Sequence, residues 1–409
     1  MLGFGPFELL RASRQLRRDG QPLALRNSSF DILLALLERP GEVVPKRLLC
    51  ELAWPGREVD ENKLQVEISA LRKLIGAGAI VTASGRGYQF AWAVVRLDAA
   101  EAPLIGREQD LAVLRSLLAP GELVSVVGEG GIGKTRLVQE LVRREPSFWL
   151  ARLDEAADEG AVLRAVGSAT KLAAAASRRD LLDALKAGTS LLLLDTCDNA
   201  LQPLAELAAG LMAECPGVTL LATSREPLRV PGERLYRLAP LAAADALDWF
   251  RKCLHVARRG PLDTAEQAAV RALCEALSGN PLELELVAQH ATCLGITTAG
   301  RHIEERLDWP NRRPDAAARQ LSLRASLDWS CRALSTSDRQ ILAAVSTLAQ
   351  PFQLDTLQSL RLESSLGRWA RLEALGRLVE KSLLSVERAD VAVYRMSATT
   401  QLYARSLLA

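Results

Sequence analysis

Leu123-Val-Ser-Val-Val-Gly-Glu-Gly-Gly-Ile-Gly-Lys-Thr135 is the stretch on which the reading of this chain turns. Leu123 to Val127 reads as a buried strand, Gly128 to Thr135 fits G-x-x-x-x-G-K-[ST], and Thr135 to Arg144 continues as an amphipathic helix. Gly128, Gly130, Gly131 and Gly133 let backbone N–H groups converge on phosphate oxygens, and the helix N-terminus adds positive potential. Lys134 is placed to bridge β- and γ-phosphates, and Thr135 to ligate Mg²⁺. A glycine-rich structural turn would need the glycines, but neither the strand in front nor the Lys-Thr pair opening a helix.

The loop sits in an alternation of strands and helices. Phe148 to Arg152, Leu191 to Leu194, Val218 to Thr223 and Leu235 to Leu238 read as buried strands, with helical stretches such as Asp180 to Ala187 between them. That pattern predicts a parallel α/β sheet. Leu191-Leu-Leu-Leu-Asp195 ends a strand on an acid, suited to hold the water shell of magnesium, although a capping aspartate would look the same. Asp198 follows as a candidate to orient an attacking water, or as a solvated turn residue. An aspartate reaches one methylene less far than a glutamate, which predicts slow hydrolysis. Arg225, just past Val218 to Ser224, stands on the edge of the sheet where ligands bind and is placed to sense a γ-phosphate. Alone it would read as a surface arginine. Gly279-Asn-Pro-Leu282 by itself is a turn between helices.

Taken in order, Ile105-Gly-Arg-Glu108, the glycine loop, the Leu-rich strand ending at Asp195, Thr223-Ser-Arg-Glu226 and Ser278-Gly-Asn-Pro-Leu282 resemble the NB-ARC class of STAND signalling ATPases. Leu327-Asp-Trp-Ser330, Leu334 to Arg339 and Leu378 to Leu383 resemble the helical and winged-helix modules that follow the ATPase in bacterial regulators. The resemblance spans about 103 to 409. It implies that Arg107 lies near base and ribose, that Pro281 packs on adenine and that Arg225 reads the γ-phosphate. The expected nucleotide contacts are therefore Arg107, Gly128, Gly130, Gly131, Ile132, Gly133, Lys134, Thr135, Arg136 and Pro281. Lys134, Asp195, Asp198 and Arg225 are the expected catalytic set, with the metal on Thr135 and Asp195. Members of the class usually carry His-Asp or an acid after a Met or Leu in the last winged helix; here Met396-Ser-Ala398 has neither, which predicts a weakly locked resting state. The class also implies a helical-repeat sensor next, and the sequence ends at Ala409, where such repeats would begin.

Residues 1 to 95 read as β-runs, three helices and a hairpin. In Asp60 to Ile75, Leu64, Ile68, Leu71 and Ile75 form one core-facing stripe, while Lys63, Gln65, Glu67, Ser69, Arg72 and Lys73 make up the other face. Ile80 to Phe90 reads as a hairpin with Arg86 at its tip. Leu16 to Gly20, Leu33 to Gly41, Val44 to Leu49, Trp54-Pro55, Val66 to Leu74 and Gly85-Arg-Gly-Tyr88 resemble the winged-helix output domain of OmpR/PhoB-type response regulators. That resemblance implies a recognition helix at Asp60 to Ile75, with Lys63, Gln65, Ser69, Arg72 and Lys73 as double-stranded DNA contacts and Arg86 as the wing contact. With no receiver domain in front, aspartate phosphorylation is not the expected switch.

The composition fits this reading. The 409 residues leave room for several domains, and 49% apolar with 24% charged residues is globular composition. Seven scattered cysteines and three histidines disfavour a zinc site and suit a cytoplasmic location, with no membrane span or secretion signal expected. The net charge is only +2, and residues 1 to 95 hold 13 Lys or Arg against 10 Asp or Glu, so a single copy should bind DNA weakly and gain strength by assembly. The expected organisation is a winged-helix domain at 1–95, a linker at 96–102, a P-loop domain at 103–240, a helical domain at 241–315 and a second winged helix at 316–409. The expected function is a regulator switched by ATP and ADP that oligomerises on ATP, hydrolyses it slowly as a timer, and counts RNA polymerase among its partners. The rival expectation is a STAND scaffold whose winged helix contacts protein instead of DNA.

Overall fold

The computed structural model describes residues 2–4, 6–10, 14–18, 21–39, 41–54, 61–92, 95–96, 104–143, 145, 148–170, 177–186, 190–255, 262–312, 318–360, 367–387 and 391–408. Beyond Arg96, the expected linker lies outside them.

The parallel sheet forms as the alternation predicts. Its order is Phe148–Arg152, Ser190–Asp195, Val218–Ser224, Leu123–Val127, Arg234–Arg237, every neighbouring pair parallel. Side chains alternate across it. Leu192, Leu194, Leu220 and Leu123 enter one core, while Leu191, Leu193, Leu221, Val124 and Val126 enter the other. Helices cover both faces, which is why these strands read as continuous apolar runs. The order also matters for function. Val218–Ser224 lies between the glycine-loop strand and the strand ending at Asp195, so Gly128, Asp195 and Arg225 meet at one C-terminal edge.

The first module has an antiparallel sheet of Gln21–Leu23, Gln15–Arg18, Phe7–Leu10, Leu2–Phe4 and Val95–Arg96. It also has helices Asn27–Glu38, Lys46–Ala53 and Glu61–Ile75, and a three-stranded sheet of Val43–Pro45, Gly87–Phe90 and Ile80–Ala83. Leu64, Ile68, Leu71 and Ile75 are all buried, as their spacing predicts. This is a winged helix with its hairpin in place.

After the sheet, Ala243–His255, Thr264–Ala276, Pro281–Leu294 and Ile296–Arg301 pack around Phe250, Val270, Leu284 and Val287. Asp263 and Glu266 form a capping box that starts the second of these helices, and Asn280 with Pro281 starts the third. The last core gathers helices Leu323–Cys331, Thr336–Ser346, Arg368–Glu380 and Ala398–Arg405. A sheet of Phe352–Gln353, Val393–Arg395 and Ser385–Glu387 completes a second winged helix. Among the described residues, no helix is long and apolar enough to cross a membrane.

Candidate nucleotide site and nucleic-acid interface

The glycine loop adopts a backbone that only glycine accepts without strain at two positions, Gly131 at φ +80° and Gly133 at φ +97°. Gly133 leads into helix Lys134–Val142. Space is short as well: a Cβ on Gly131 would come within 2.6 Å of Leu282 Cβ, and one on Gly130 within 2.6 Å of Ser326 Oγ. The Gly279-Asn-Pro-Leu282 turn is therefore more than a connection. Asn280 Nδ2 donates to Gly130 O at 3.1 Å and Leu282 N to Gly131 O at 3.3 Å, docking the helical region onto the loop.

Lys134 Nζ donates to two carbonyls of its own loop, Gly128 O at 2.7 Å and Glu129 O at 2.9 Å. Burial pulls its pKa down to about 8 against the opposing charge of Asp198, with Arg225 pushing it further down. Thr135 Oγ1 and Thr223 Oγ1 both donate to Asp195 Oδ1, at 2.8 and 2.6 Å, so the hydroxyl and carboxylate expected to hold a metal touch one another. Asp198 is not a solvated turn residue: its Oδ1 accepts from Arg225 N at 2.6 Å and Ser224 Oγ at 3.1 Å. It fixes the strand end that presents Arg225. Arg225 is itself buried, and its Nη1 donates to Ser326 O at 2.9 Å and to Ser330 Oγ, both on helix Leu323–Cys331.

These groups surround a cavity of about 490 Å³ whose walls include Gly130, Gly131, Gly133, Lys134, Thr135 and Arg136. Asp195, Asp198, Arg225 and Pro281 complete the expected part of its wall. Three expected contacts lie elsewhere. Gly128 contributes its carbonyl to Lys134 but does not line the cavity, and the Ile132 side chain is buried on the far side of the loop. Arg107 is buried and braced, its Nη1 donating to Ala239 O at 2.8 Å and its Nη2 to Ile132 O at 3.2 Å. It braces the loop from behind and does not line the cavity, with Asp110 as a further acceptor from Nη1 at 3.2 Å.

Other cavity residues were not legible in the sequence: Arg152, Asp154, Trp249, Glu285 and Arg319. Trp249 is held edge-on by donating Nε1 to Pro281 O at 3.1 Å, and the Arg136 guanidinium lies 5.8 Å from its ring centre.

Beside the loop lie two carboxyls, Glu283 buried and Glu129 half-buried. Glu283 Oε2 accepts from Thr399 Oγ1 at 2.6 Å, and Arg306 Nε donates to the same hydroxyl at 3.1 Å. Burial pushes Glu129 up to about 7 and Glu283 up to about 8. The stretch where the resemblance led one to look for a lock behaves differently: Met396 is core, and Ser397 caps helix Ala398–Arg405. It is Thr399 that reaches the helical region.

On the first winged helix, Lys63, Gln65, Ser69 and Lys73 are exposed on Glu61–Ile75, and Arg86 is exposed at the hairpin turn. Arg72 is not available for a groove. Its Nε donates to Ile80 O at 2.9 Å and its Nη2 to Thr82 Oγ1 at 2.8 Å, clamping helix to wing. Glu67, grouped with the outward face in the sequence, is buried and accepts from Ser29 Oγ. The outward stripe is thereby less acidic than the sequence suggested, and Val66, 61% exposed, stands in its middle.

Comparison with known proteins agrees with these modules. Residues 20–90 match the family described as "Transcriptional regulatory protein, C terminal". A protein of Mycobacterium tuberculosis strain H37Rv, provisionally named an HTH-type transcriptional regulator, is 30% identical over 303 residues, 71% of this chain and 34% of that relative. The chain thus spans about a third of its length. An uncharacterized protein of the same strain is 28% identical over 317 residues, 73% of this chain and 80% of its own length. Among solved structures, a signal transduction ATPase with numerous domains from Pyrococcus horikoshii, bearing a tetratricopeptide-repeat sensor, aligns with 76% of this chain and 43% of its own, at 15% identity and a TM-score of 0.35. The chain thus joins a winged helix, matched over residues 20–90 by the transcriptional regulatory C-terminal family, to a parallel α/β module that carries a P-loop sequence.

Proposed function

We propose that this chain is a DNA-binding transcription regulator whose P-loop module is switched by ATP and ADP, and that the division 1–95, 96–102, 103–240, 241–315 and 316–409 describes its working parts. The observation that carries the reading is Arg225. It projects into a cavity built of phosphate-binding groups, yet its guanidinium is held by Ser326 O and Ser330 Oγ of the C-terminal module. A γ-phosphate is a stronger acceptor than a carbonyl or a hydroxyl, since both partners are then charged. Its arrival would draw Arg225 away and let helix Leu323–Cys331 reposition, changing the surface available for self-association.

The residues present fit Mg²⁺. Thr135 and Asp195 supply two hard oxygens side by side, and the rest of an octahedral shell would come from phosphates and water. When bound, the ion would neutralise charge between the outer phosphates. Lys134 would leave its loop carbonyls for the phosphates, and Asp198 would hold the strand end at Ser224 and Arg225 while the guanidinium swings. Asp198 being occupied with that task supports slow turnover, a timer more than a metabolic activity.

Lys63, Gln65, Ser69, Lys73 and Arg86 would face DNA, with Val66 offering an apolar contact to a thymine methyl. So few cations neutralise few phosphates, which favours assembly on DNA over binding by a single copy. We place the protein in the cytoplasm, with RNA polymerase as a further partner. The test is a mobility-shift assay on the gene's own upstream region with ATP and with ADP, for wild type and Lys134→Ala. A shift favoured by one nucleotide and lost in the variant is expected. A shift indifferent to nucleotide would overturn the switch, and no shift at all would favour the protein-contact scaffold.

A further inference from the structure

Four arginines line the nucleotide cavity, Arg136, Arg152, Arg225 and Arg319, and the proposed switch leaves Arg319 without a part. Arg319 lies in the short 3₁₀ turn Ala318–Gln320, immediately before helix Leu323–Cys331, and faces the same cavity as Lys134, Thr135 and Asp195. Its one recorded side-chain bond is weak, Nη2 to Thr196 Oγ1 at 3.4 Å. Among the described residues it has no ion pair. Thr196 directly follows Asp195 and is itself held in a left-handed conformation at φ +64°, so Arg319 hangs over the corner where the metal-holding strand ends.

Arg225 reaches that corner from the other side. Burial is the main cause that lowers its pKa, Asp198 opposes this, and the positive field of Arg319 lowers it further. Of the four carboxylates that line the cavity, Asp198 is committed to the backbone and guanidinium of Arg225 and Asp195 to two threonine hydroxyls. Arg319 and Arg225 line one cavity, and their two guanidiniums repel one another. Such an arrangement is relieved by an anion. The loop amides serve the first phosphates, Lys134 bridges the second and third, and Thr135 with Asp195 marks the metal, so the Thr196, Asp198 and Arg225 corner is left for the far side of the third phosphate.

We propose that Arg319 and Arg225 form a two-arginine clamp on the third phosphate of a nucleoside triphosphate. The inference rests on the nucleotide reading of this cavity. It adds a specificity-determining residue supplied by the C-terminal segment. Because Arg319 precedes the helix whose Ser326 and Ser330 hold Arg225, the third phosphate would move that helix instead of merely releasing it.

The experiment is equilibrium binding of fluorescent mant-ATP and mant-ADP, with Mg²⁺, to the full chain and to Arg319→Ala. The clamp predicts at least a tenfold loss of affinity for the triphosphate, with the diphosphate constant unchanged within twofold, which also shows that the variant is folded. Equal losses for both nucleotides, or no loss for either, overturn the clamp. If wild type binds neither nucleotide, the nucleotide reading itself has failed. If wild type binds both and Arg319→Ala is unaltered, only the clamp has failed.

Discussion

Replacing Glu283 with glutamine should stabilise the protein, and increasingly so as pH rises. Glu283 is 5% exposed, bonded to Thr399 and close enough to Glu129 for that carboxyl's charge to raise it further. Its ordinary value of 4.5 is pushed up to about 8, chiefly by burial, with the Thr399 hydroxyl and Arg306 opposing. The folded state therefore keeps a proton that the unfolded chain has already lost, and stability falls as pH rises from about 4.5 to about 8. At about 1.4 kcal/mol per pH unit the ceiling is about 5 kcal/mol, and sharing the titration with Glu129 leaves on the order of 2–3 kcal/mol for Glu283 alone. A glutamine keeps an oxygen for Thr399 and cannot ionise. Melting of wild type and Glu283→Gln, followed between pH 5 and 9, should show nearly equal midpoints at the acid end. The variant should melt about 5–10 °C higher near pH 8.5. Curves that stay parallel across this range would refute the buried-acid argument, as would a variant destabilised at every pH.

Gly131→Ala should cost about 1–3 kcal/mol, from a left-handed backbone and a Cβ driven against Leu282, and should abolish nucleotide binding; melting and mant-ADP titration together check this. On the first winged helix, Arg72→Ala should destabilise the module by about 1–2 kcal/mol through lost bonds to Ile80 and Thr82, seen by denaturation. Lys73→Ala should leave stability unchanged and reduce the salt dependence of DNA binding by about one unit of slope, seen by titration at several salt concentrations.

Elements with a strong local signature were legible in the sequence. The strand, glycine loop and helix at Leu123–Val142 follow from short-range chemistry, and the stripe Leu64, Ile68, Leu71 and Ile75 from helical period, so both appear where expected. The strand ending at Asp195 and the strand end presenting Arg225 were readable for the same reason. Helical period could not say that Glu67 turns inward to Ser29, or that Arg72 folds back onto the wing, since the partners lie on other elements. Arg107 was placed near the base by resemblance. The structure instead spends its donors on Ala239 and Ile132 carbonyls.

By itself, the sequence determined the strand, glycine loop and helix at Leu123–Val142, because glycine conformations, a lysine and a threonine at fixed spacing act within a few residues of each other. It also determined a winged helix ahead of that loop. Only the tertiary structure decided what stands opposite the loop. Trp249, Asn280, Glu283, Arg319 and Ser326 come from segments more than a hundred residues downstream. Strand order and helix docking bring them to one edge of the sheet, and no periodicity along the chain encodes that meeting. The loop's own groups are therefore set locally, while the bonds that Asn280 and Leu282 make with the loop, and Ser326 with Arg225, arise from packing.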